Sequence, residues 1–170
     1  MDRMRIAHIG FLSYIKGMEI FNRLIHDHDI TVDWYIIGGM EPNNMDWSTV
    51  TIIDHYKSFS ELHDYIDYFD IDCIIMLSVC PESFSYTLTE AWMMGIPVIG
   101  SSMGAIGHRI NETGCGKVVN PFIYHEVKNV LMNITYDDLY IISDHIQNMD
   151  LPSYDMMINK YNELCNNMRI

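Results

Sequence analysis

Short apolar runs and segments with helical spacing alternate along the chain. The predicted strands of the first half are residues 4–9, 31–37, 50–54 and 71–77. Between them, apolar residues spaced three and four positions apart predict helices over 18–25 and 59–68. Strands that alternate with helices in this way are typical of an α/β protein with a parallel sheet.

The fourth predicted strand is an almost unbroken apolar run, which favours a central strand that is covered on both faces. A polar loop follows it, then a helix that stops at Gly95, and then a fifth strand that ends near Gly100. Apolar residues at helical spacing in this segment are predicted to face the core, and they are Phe84, Leu88, Ala91 and Trp92.

Another helix is predicted from Gly104, and a sixth strand is predicted between about 114 and 120. Helical stretches follow over about 123–133, 136–148 and 154–168, so that the predicted C-terminal helices occupy about 136–168. We therefore predict one three-layer, Rossmann-like α/β domain spanning 1–170, with about six parallel strands and helices on both faces of the sheet.

Composition narrows the class of protein. The chain has 170 residues, 49% of them apolar, which is enough for one domain with a hydrophobic core. Its 10 basic and 23 acidic residues give a formal charge of −13, which argues against nucleic acid as a partner. Four scattered cysteines without a C-x-x-C pair favour a reduced, cytoplasmic protein. No apolar run reaches the roughly 18 residues of a membrane-spanning helix, so no transmembrane segment is predicted.

Two carboxylates accompany the helix after the fourth strand, with Glu82 in the preceding loop and Glu90 about one turn inside the helix. The backbone N–H groups at this helix start belong to Ser85, Tyr86, Thr87 and Leu88. A loop carboxylate beside a helix N-terminus can bind a sugar hydroxyl next to a phosphate. The segment is therefore the candidate binding site of the chain.

A local structural role is an alternative for Glu90, because Thr87-x-x-Glu90 also has the spacing of a capping box. In that case the two side chains would satisfy N–H groups of the helix and take no part in chemistry. Glu82 follows Pro81 and has no cap or ion-pair partner nearby in the sequence. We therefore interpret Glu82 as a ligand-binding residue.

A set of residues in fixed order resembles a known family, namely Glu82-x(7)-Glu90-Ala91, Gly95-Ile96-Pro97-Val98-Ile99 and Gly104-Ala105. The set is similar to the nucleotide-sugar-binding, C-terminal domain of the retaining glycosyltransferases of family 4, which have the two-domain GT-B fold. The resemblance implies a fold that is one half of GT-B. It also implies that the N-terminal acceptor domain is absent and that this chain alone is inactive.

The activity that the resemblance implies for the whole enzyme is transfer of a hexose from a nucleoside diphosphate sugar to a hydroxyl, with retention at the anomeric carbon. The implied acceptor is a glycan or glycoconjugate of surface polysaccharide synthesis. The donor expected from the family is a UDP-sugar, which is a substrate, and no cofactor and no metal ion are implied.

The resemblance also assigns roles to residues of this sequence. Glu82 would bind hydroxyls of the transferred sugar, Glu90 would bind the ribose hydroxyls, and Lys16 with Gly17 would bind the diphosphate. Glu82 and Lys16 are the implied catalytic residues. The other implied donor-binding positions are Gly10, Gly38, Ser85, Tyr86, Thr87 and Leu88. Tyr56 is interpreted as a surface tyrosine.

Three positions depart from the family pattern. Phe11 stands where the family has an arginine that binds the diphosphate, Ser85 where glycine is common, and His108 where glutamate is usual. We interpret His108 as an exposed surface residue. These departures keep open the alternative of a non-catalytic binding or assembly module that has lost donor binding. The expected location is the cytoplasm, either free or at the inner membrane face through the missing domain.

Overall fold

The structure is a computed structural model that describes residues 3–151. Its strands and helices alternate as the hydrophobic pattern predicts. The strands are β1 (Met4–Ile9), β2 (Val32–Ile37), β3 (Val50–Ile53), β4 (Cys73–Met76), β5 (Val98–Ser101) and β6 (Gly116–Val119). The helices are α1 (Met18–Ile25), α2 (Phe59–Tyr68), α3 (Tyr86–Met93), α4 (Gly104–Thr113), α5 (Tyr124–Asn133) and α6 (Tyr136–Gln147).

The six strands form one sheet in the order β3-β2-β1-β4-β5-β6, and every pair is parallel. β1 pairs with β2 from Met4 opposite Val32 to Ile9 opposite Ile37, and with β4 on its other side. The predicted Rossmann-like α/β fold with about six parallel strands is confirmed. Because the strands are parallel, all their carboxyl ends lie at one edge of the sheet.

Helices cover both faces of the sheet, because successive side chains of a strand point to opposite sides. Ile6, Ile36 and Ile75 pack in one hydrophobic cluster with residues of α1 and α5. Ala7 and Ile74 belong to the other cluster, with residues of α2, α3 and α4. α6 contributes to both clusters. The two clusters together bury both faces of the central strands.

The segment after β4 differs from the prediction at one position. The sequence predicts that Phe84 faces the core, but this residue is 42% exposed. Its side chain lies outside the helical face that buries Leu88, Ala91 and Trp92, because α3 begins only at Tyr86. The predicted helix over 154–168 lies outside the described residues. No helix within 3–151 is long and apolar enough to cross a membrane.

The loops after β1 and β2 touch each other at the carboxyl edge. The Gly10 N–H donates to the Ile37 carbonyl (2.8 Å), and the Leu12 N–H donates to the Gly39 carbonyl (3.0 Å). A Cβ at Gly38, which has a φ of 125°, would lie 2.7 Å from the Gly10 backbone. Glycine at position 38 therefore permits the close packing that shapes this edge.

Candidate functional site

The crevice between β1 and β4 lies where the connections of the sheet diverge. The chain after β1 crosses to α1 on one face, whereas the chain after β4 crosses to α3 on the other. The two loops therefore separate above the carboxyl edge, which is where α/β sheets usually bind their ligands. The residues implied by the resemblance lie on these two loops, on α3 and on the adjacent loop after β2.

A short 3-10 turn that ends at Lys16 lies beside the crevice. Gly17 follows with a φ of 87°, and a Cβ there would lie 2.2 Å from the Leu77 carbonyl oxygen. The Val79 N–H donates to the Ile15 carbonyl (3.0 Å), which ties the turn to the segment after β4. The main chain thus fixes Lys16 against the end of β4.

Lys16 and Glu82 are 66 residues apart in the sequence and form an ion pair, in which the Lys16 Nζ donates to Glu82 Oε1. Ser78 Oγ donates to the same oxygen (2.7 Å). The Glu82 side chain is 17% exposed. Burial alone would raise the pKa of Glu82, but the hydrogen bonds from Lys16 and Ser78 outweigh burial and hold the pKa below its usual value. Glu82 is therefore an ionised acceptor at neutral pH.

Ser85, the N-cap of α3, has a left-handed backbone conformation and a buried hydroxyl. Its φ of 65° and ψ of 85° lie in the left-handed region that favours glycine. The residue is 7% exposed, and its Oγ has no hydrogen-bond partner among the described residues. The hydroxyl nevertheless lies close enough to Glu82 to lower the pKa of that carboxyl. The Ser85 hydroxyl is therefore a buried neighbour of the Glu82 carboxylate.

The capping-box alternative for Thr87 and Glu90 is wrong. Because α3 begins at Tyr86, Thr87 lies inside the first turn and cannot occupy the N-cap position. The Ser85 hydroxyl does not cap the helix either, so within residues 3–151 the first N–H groups of α3 have no side-chain cap. A Cβ at Gly10 would lie 3.8 Å from Thr87 Oγ1, so the loop after β1 passes close to this helix start.

Glu90 lies further along α3 and is partly buried, and burial raises its pKa. Tyr56, which the sequence suggests to be a surface residue, is also partly buried and packs against the hydrophobic cluster of α2, α3 and α4. Burial raises the pKa of Tyr56, and the negative charge of Glu90 raises it further by a smaller amount. The charge of Glu90 on α3 thus reaches Tyr56, which follows β3 in the sequence.

His8 is a buried neighbour of the site that the sequence analysis missed. It lies near the end of β1, is 5% exposed and packs edge-on against Phe21. Burial lowers the pKa of His8 from 6.5 to about 4, and the charges of Lys16 and Glu82 act on it in opposite directions. A histidine inside an apolar strand is the sequence signal that could have identified it.

Two of the positions that depart from the family pattern lie at the surface. Phe11 is 54% exposed and offers no charge where the family has an arginine. His108 is exposed and lies 3.4 Å from the Glu112 carboxylate one turn along α4, as expected for a surface residue. Within residues 3–151, no group of three or more histidine, cysteine or acidic side chains could hold a metal ion.

Comparison with known proteins gives matches to solved structures. Neither a scan of protein-family models nor a search of curated protein sequences found a match. The structure of HepE from Anabaena with UDP is 18% identical, with a TM-score of 0.75 over 98% of this chain and 49% of that one. The HepE complex with UDP-glucose is 19% identical, with a TM-score of 0.68 over 86% of this chain and 43% of that one.

Sucrose-phosphate synthase from Thermosynechococcus elongatus is a further neighbour. It is 16% identical, with a TM-score of 0.73 over 98% of this chain and 46% of that one. At these identities the likeness shows a shared fold, in which the six-stranded sheet matches the Rossmann-like half of GT-B structures. The chain spans less than half the length of each of these neighbours.

Proposed function

We propose that this chain is the donor-binding half of a retaining glycosyltransferase and that it binds a nucleoside diphosphate sugar between β1 and β4. The observation that carries the proposal is the meeting of Lys16, Glu82 and the uncapped start of α3 around the buried Ser85 hydroxyl. These groups offer a cation, N–H donors and an ionised acceptor within one crevice. That combination suits a diphosphate that joins two polyhydroxylated sugars. The fold shared with HepE, whose structure holds UDP-glucose, supports the choice of ligand.

The diphosphate would bind to Lys16 and to the first N–H groups of α3. A helix N-terminus carries roughly half a positive charge, and its N–H groups point at the anion. Phe11 contributes no charge, so the N–H groups of Tyr86, Thr87 and Leu88 would carry a larger share of the binding than in a site with an arginine. A side chain at Gly10 would point toward Thr87, and a side chain at Gly38 would collide with the Gly10 backbone, so glycine at both positions would leave room for the donor.

The sugar at the reacting end of the donor would bind to Glu82. The bonds that Glu82 receives from Lys16 and Ser78 both go to Oε1, which leaves Oε2 for sugar hydroxyls. Because an ammonium has three N–H donors, Lys16 can contact the carboxylate and the diphosphate together. Glu90, further along α3, would accept hydrogen bonds from the ribose hydroxyls, and a UDP-sugar is the proposed donor.

In the proposed reaction the bond between the anomeric carbon and the diphosphate breaks, and negative charge develops on the departing diphosphate. Lys16 and the α3 N–H groups would stabilise that charge in place, without reorganisation. The acceptor hydroxyl then bonds to the anomeric carbon with retention, and its proton passes to the departing diphosphate. An N-terminal acceptor domain would bind the acceptor, a glycan or glycoconjugate of surface polysaccharide synthesis in the cytoplasm, so this chain alone would be inactive.

A second candidate is a non-catalytic, glycosyltransferase-like assembly module. It is favoured by the exposed Phe11 at the arginine position and by the Lys16 ammonium already paired with Glu82. In that case the Lys16–Glu82 pair would hold the loops together, its loss would lower stability, and no nucleotide would bind.

The test is a calorimetric titration of the chain with UDP, GDP, ADP and UDP-glucose, repeated on Lys16→Ala, Glu82→Ala and Glu90→Ala. Lys117→Ala, which removes an equal charge from β6, is the matched control. We expect one nucleotide to bind selectively, with Lys16→Ala and Glu90→Ala each weakening it by about tenfold. Glu82→Ala should weaken only the sugar-bearing ligand. No binding of any of these ligands at millimolar concentration would favour the assembly module.

A further inference from the structure

Arg109 on α4 contacts the loop before α3, and the proposed donor-binding roles leave this contact unexplained. Its Nη1 donates to the carbonyl oxygens of Phe84 (2.9 Å) and Ser85 (3.1 Å), and its Nη2 donates to Thr89 Oγ1 (2.9 Å). The guanidinium also lies over the rings of Phe84 and Trp92, 4.4 and 4.9 Å from their centroids. One side chain therefore joins α4 to both the loop and α3.

α4 holds the same loop at a second point. The Ala105 N–H donates to the Glu82 carbonyl (2.9 Å), and Gly104 forms a parallel bridge with Glu82. A Cβ at Gly104 would lie 2.7 Å from the backbone of Glu82, so the close approach depends on glycine. The loop from Glu82 to Ser85 is thus attached to α4 at both of its ends.

The conformation that Arg109 holds is one that Ser85 would otherwise avoid. A residue with a Cβ is disfavoured in the left-handed region and stays there only when its surroundings enforce it. The two carbonyl groups that accept from Arg109 are those of Ser85 itself and of the residue before it. If these bonds were lost, rotation about the Ser85 backbone would turn its hydroxyl and the Tyr86 N–H away from the crevice.

We propose that Arg109 is a positioning residue for the donor site. It holds Ser85 in the left-handed conformation and thereby keeps Glu82 and the α3 N–H groups directed at the diphosphate sugar. This inference rests on the proposed function of the site. Arg109 acts through the loop and not by contact with the donor, because its guanidinium is already engaged by two carbonyls, a hydroxyl and two rings.

The first test is hydrogen exchange of the chain without nucleotide, comparing wild type with Arg109→Met. The matched control is Arg3→Met, which removes an equal charge from an exposed pair with Asp33. We expect exchange in the segment 82–89 to rise by about tenfold in Arg109→Met, while β6 exchanges as in the wild type. Unchanged exchange of segment 82–89 would overturn the inference.

The second test measures UDP affinity in Arg109→Met, Ser85→Gly and the double variant. We expect Arg109→Met to bind UDP about tenfold more weakly. Glycine adopts the left-handed conformation at no steric cost. The UDP affinity of the double variant should therefore be within about threefold of the affinity of Ser85→Gly alone. Failure of this rescue would mean that Arg109 does not act through Ser85. A wild-type chain that binds none of UDP, GDP and ADP would instead overturn the proposed function, and the exchange measurement would still decide whether Arg109 orders the loop.

Discussion

The burial of His8 makes a quantitative prediction about stability and pH. The folded chain holds this imidazole neutral, because burial lowers its pKa from 6.5 to about 4. The unfolded chain exposes it and restores its ordinary pKa, so the unfolded state binds the proton more tightly. The stability that depends on a neutral His8 is therefore fully present above pH 6.5 and is lost as the pH falls toward 4.

The size of this effect follows from the two pKa values. At pH 5, His8 is almost fully protonated in the unfolded chain and almost fully neutral in the folded one. Proton linkage then lowers the free energy of unfolding by about 2 kcal/mol between pH 7.5 and pH 5. The whole interval between the two pKa values corresponds to about 3 kcal/mol.

The assay is urea unfolding at several pH values between 7.5 and 5, for the wild type and for His8→Gln. Glutamine does not titrate and can still form a hydrogen bond, so the variant should lose about 2 kcal/mol less than the wild type over this range. Comparing the two pH dependences cancels the contributions of other titrating groups. The exposed His28→Gln is the matched control for loss of a histidine. Parallel curves for wild type and His8→Gln would refute the burial of a neutral imidazole beside Lys16.

Three further predictions concern the site and the scaffold. Phe11→Arg should strengthen UDP binding by about tenfold in calorimetry, because it supplies a second cation to the diphosphate; an unchanged affinity would mean that position 11 does not face the ligand. Lys128→Met should lower the Tm at pH 7, because hydrogen bonds from Lys128 and Tyr124 hold the pKa of Asp27 well below its usual value. The stability from this interaction is present above the ordinary pKa of Asp27 and is lost as the pH falls through the lower pKa of Asp27 in the folded chain. Scanning calorimetry should therefore show that the Tm values of the wild type and of Lys128→Met converge in strong acid. Gly17→Ala should destabilise the fold by at least about 2 kcal/mol in urea unfolding, because its Cβ would meet the Leu77 carbonyl; wild-type stability would show that the turn can move.

Much of the fold could be predicted because its signals are local. The period of apolar residues distinguishes the strands from the helices, and the predicted 59–68 helix matches α2. The C-terminal limit of α3 also follows from a local signal, since Gly95 has a φ of 74°. The prediction that Phe84 faces the core is wrong, because its spacing fits the apolar face of α3 although the helix starts two residues later.

The candidate site was harder to predict, because its contacts join distant parts of the chain. The sequence placed Glu82 in a loop without a visible partner, and the structure brings Lys16 to it from 66 residues away. The contact exists because β1 pairs with β4 in the sheet, and not with β3. Nothing in the spacing of residues encodes that order of strands.

The sequence by itself determined the alternation of strands and helices, the glycine positions at the ends of β1 and β2, and the carboxylates that accompany α3. Only the tertiary structure decided that Lys16 is paired with Glu82, that Ser85 is buried in a left-handed conformation, and that Arg109 holds it there. The physical reason is that periodicity and turn chemistry act over a few residues. Pairing, burial and backbone strain depend on which segments the sheet brings together.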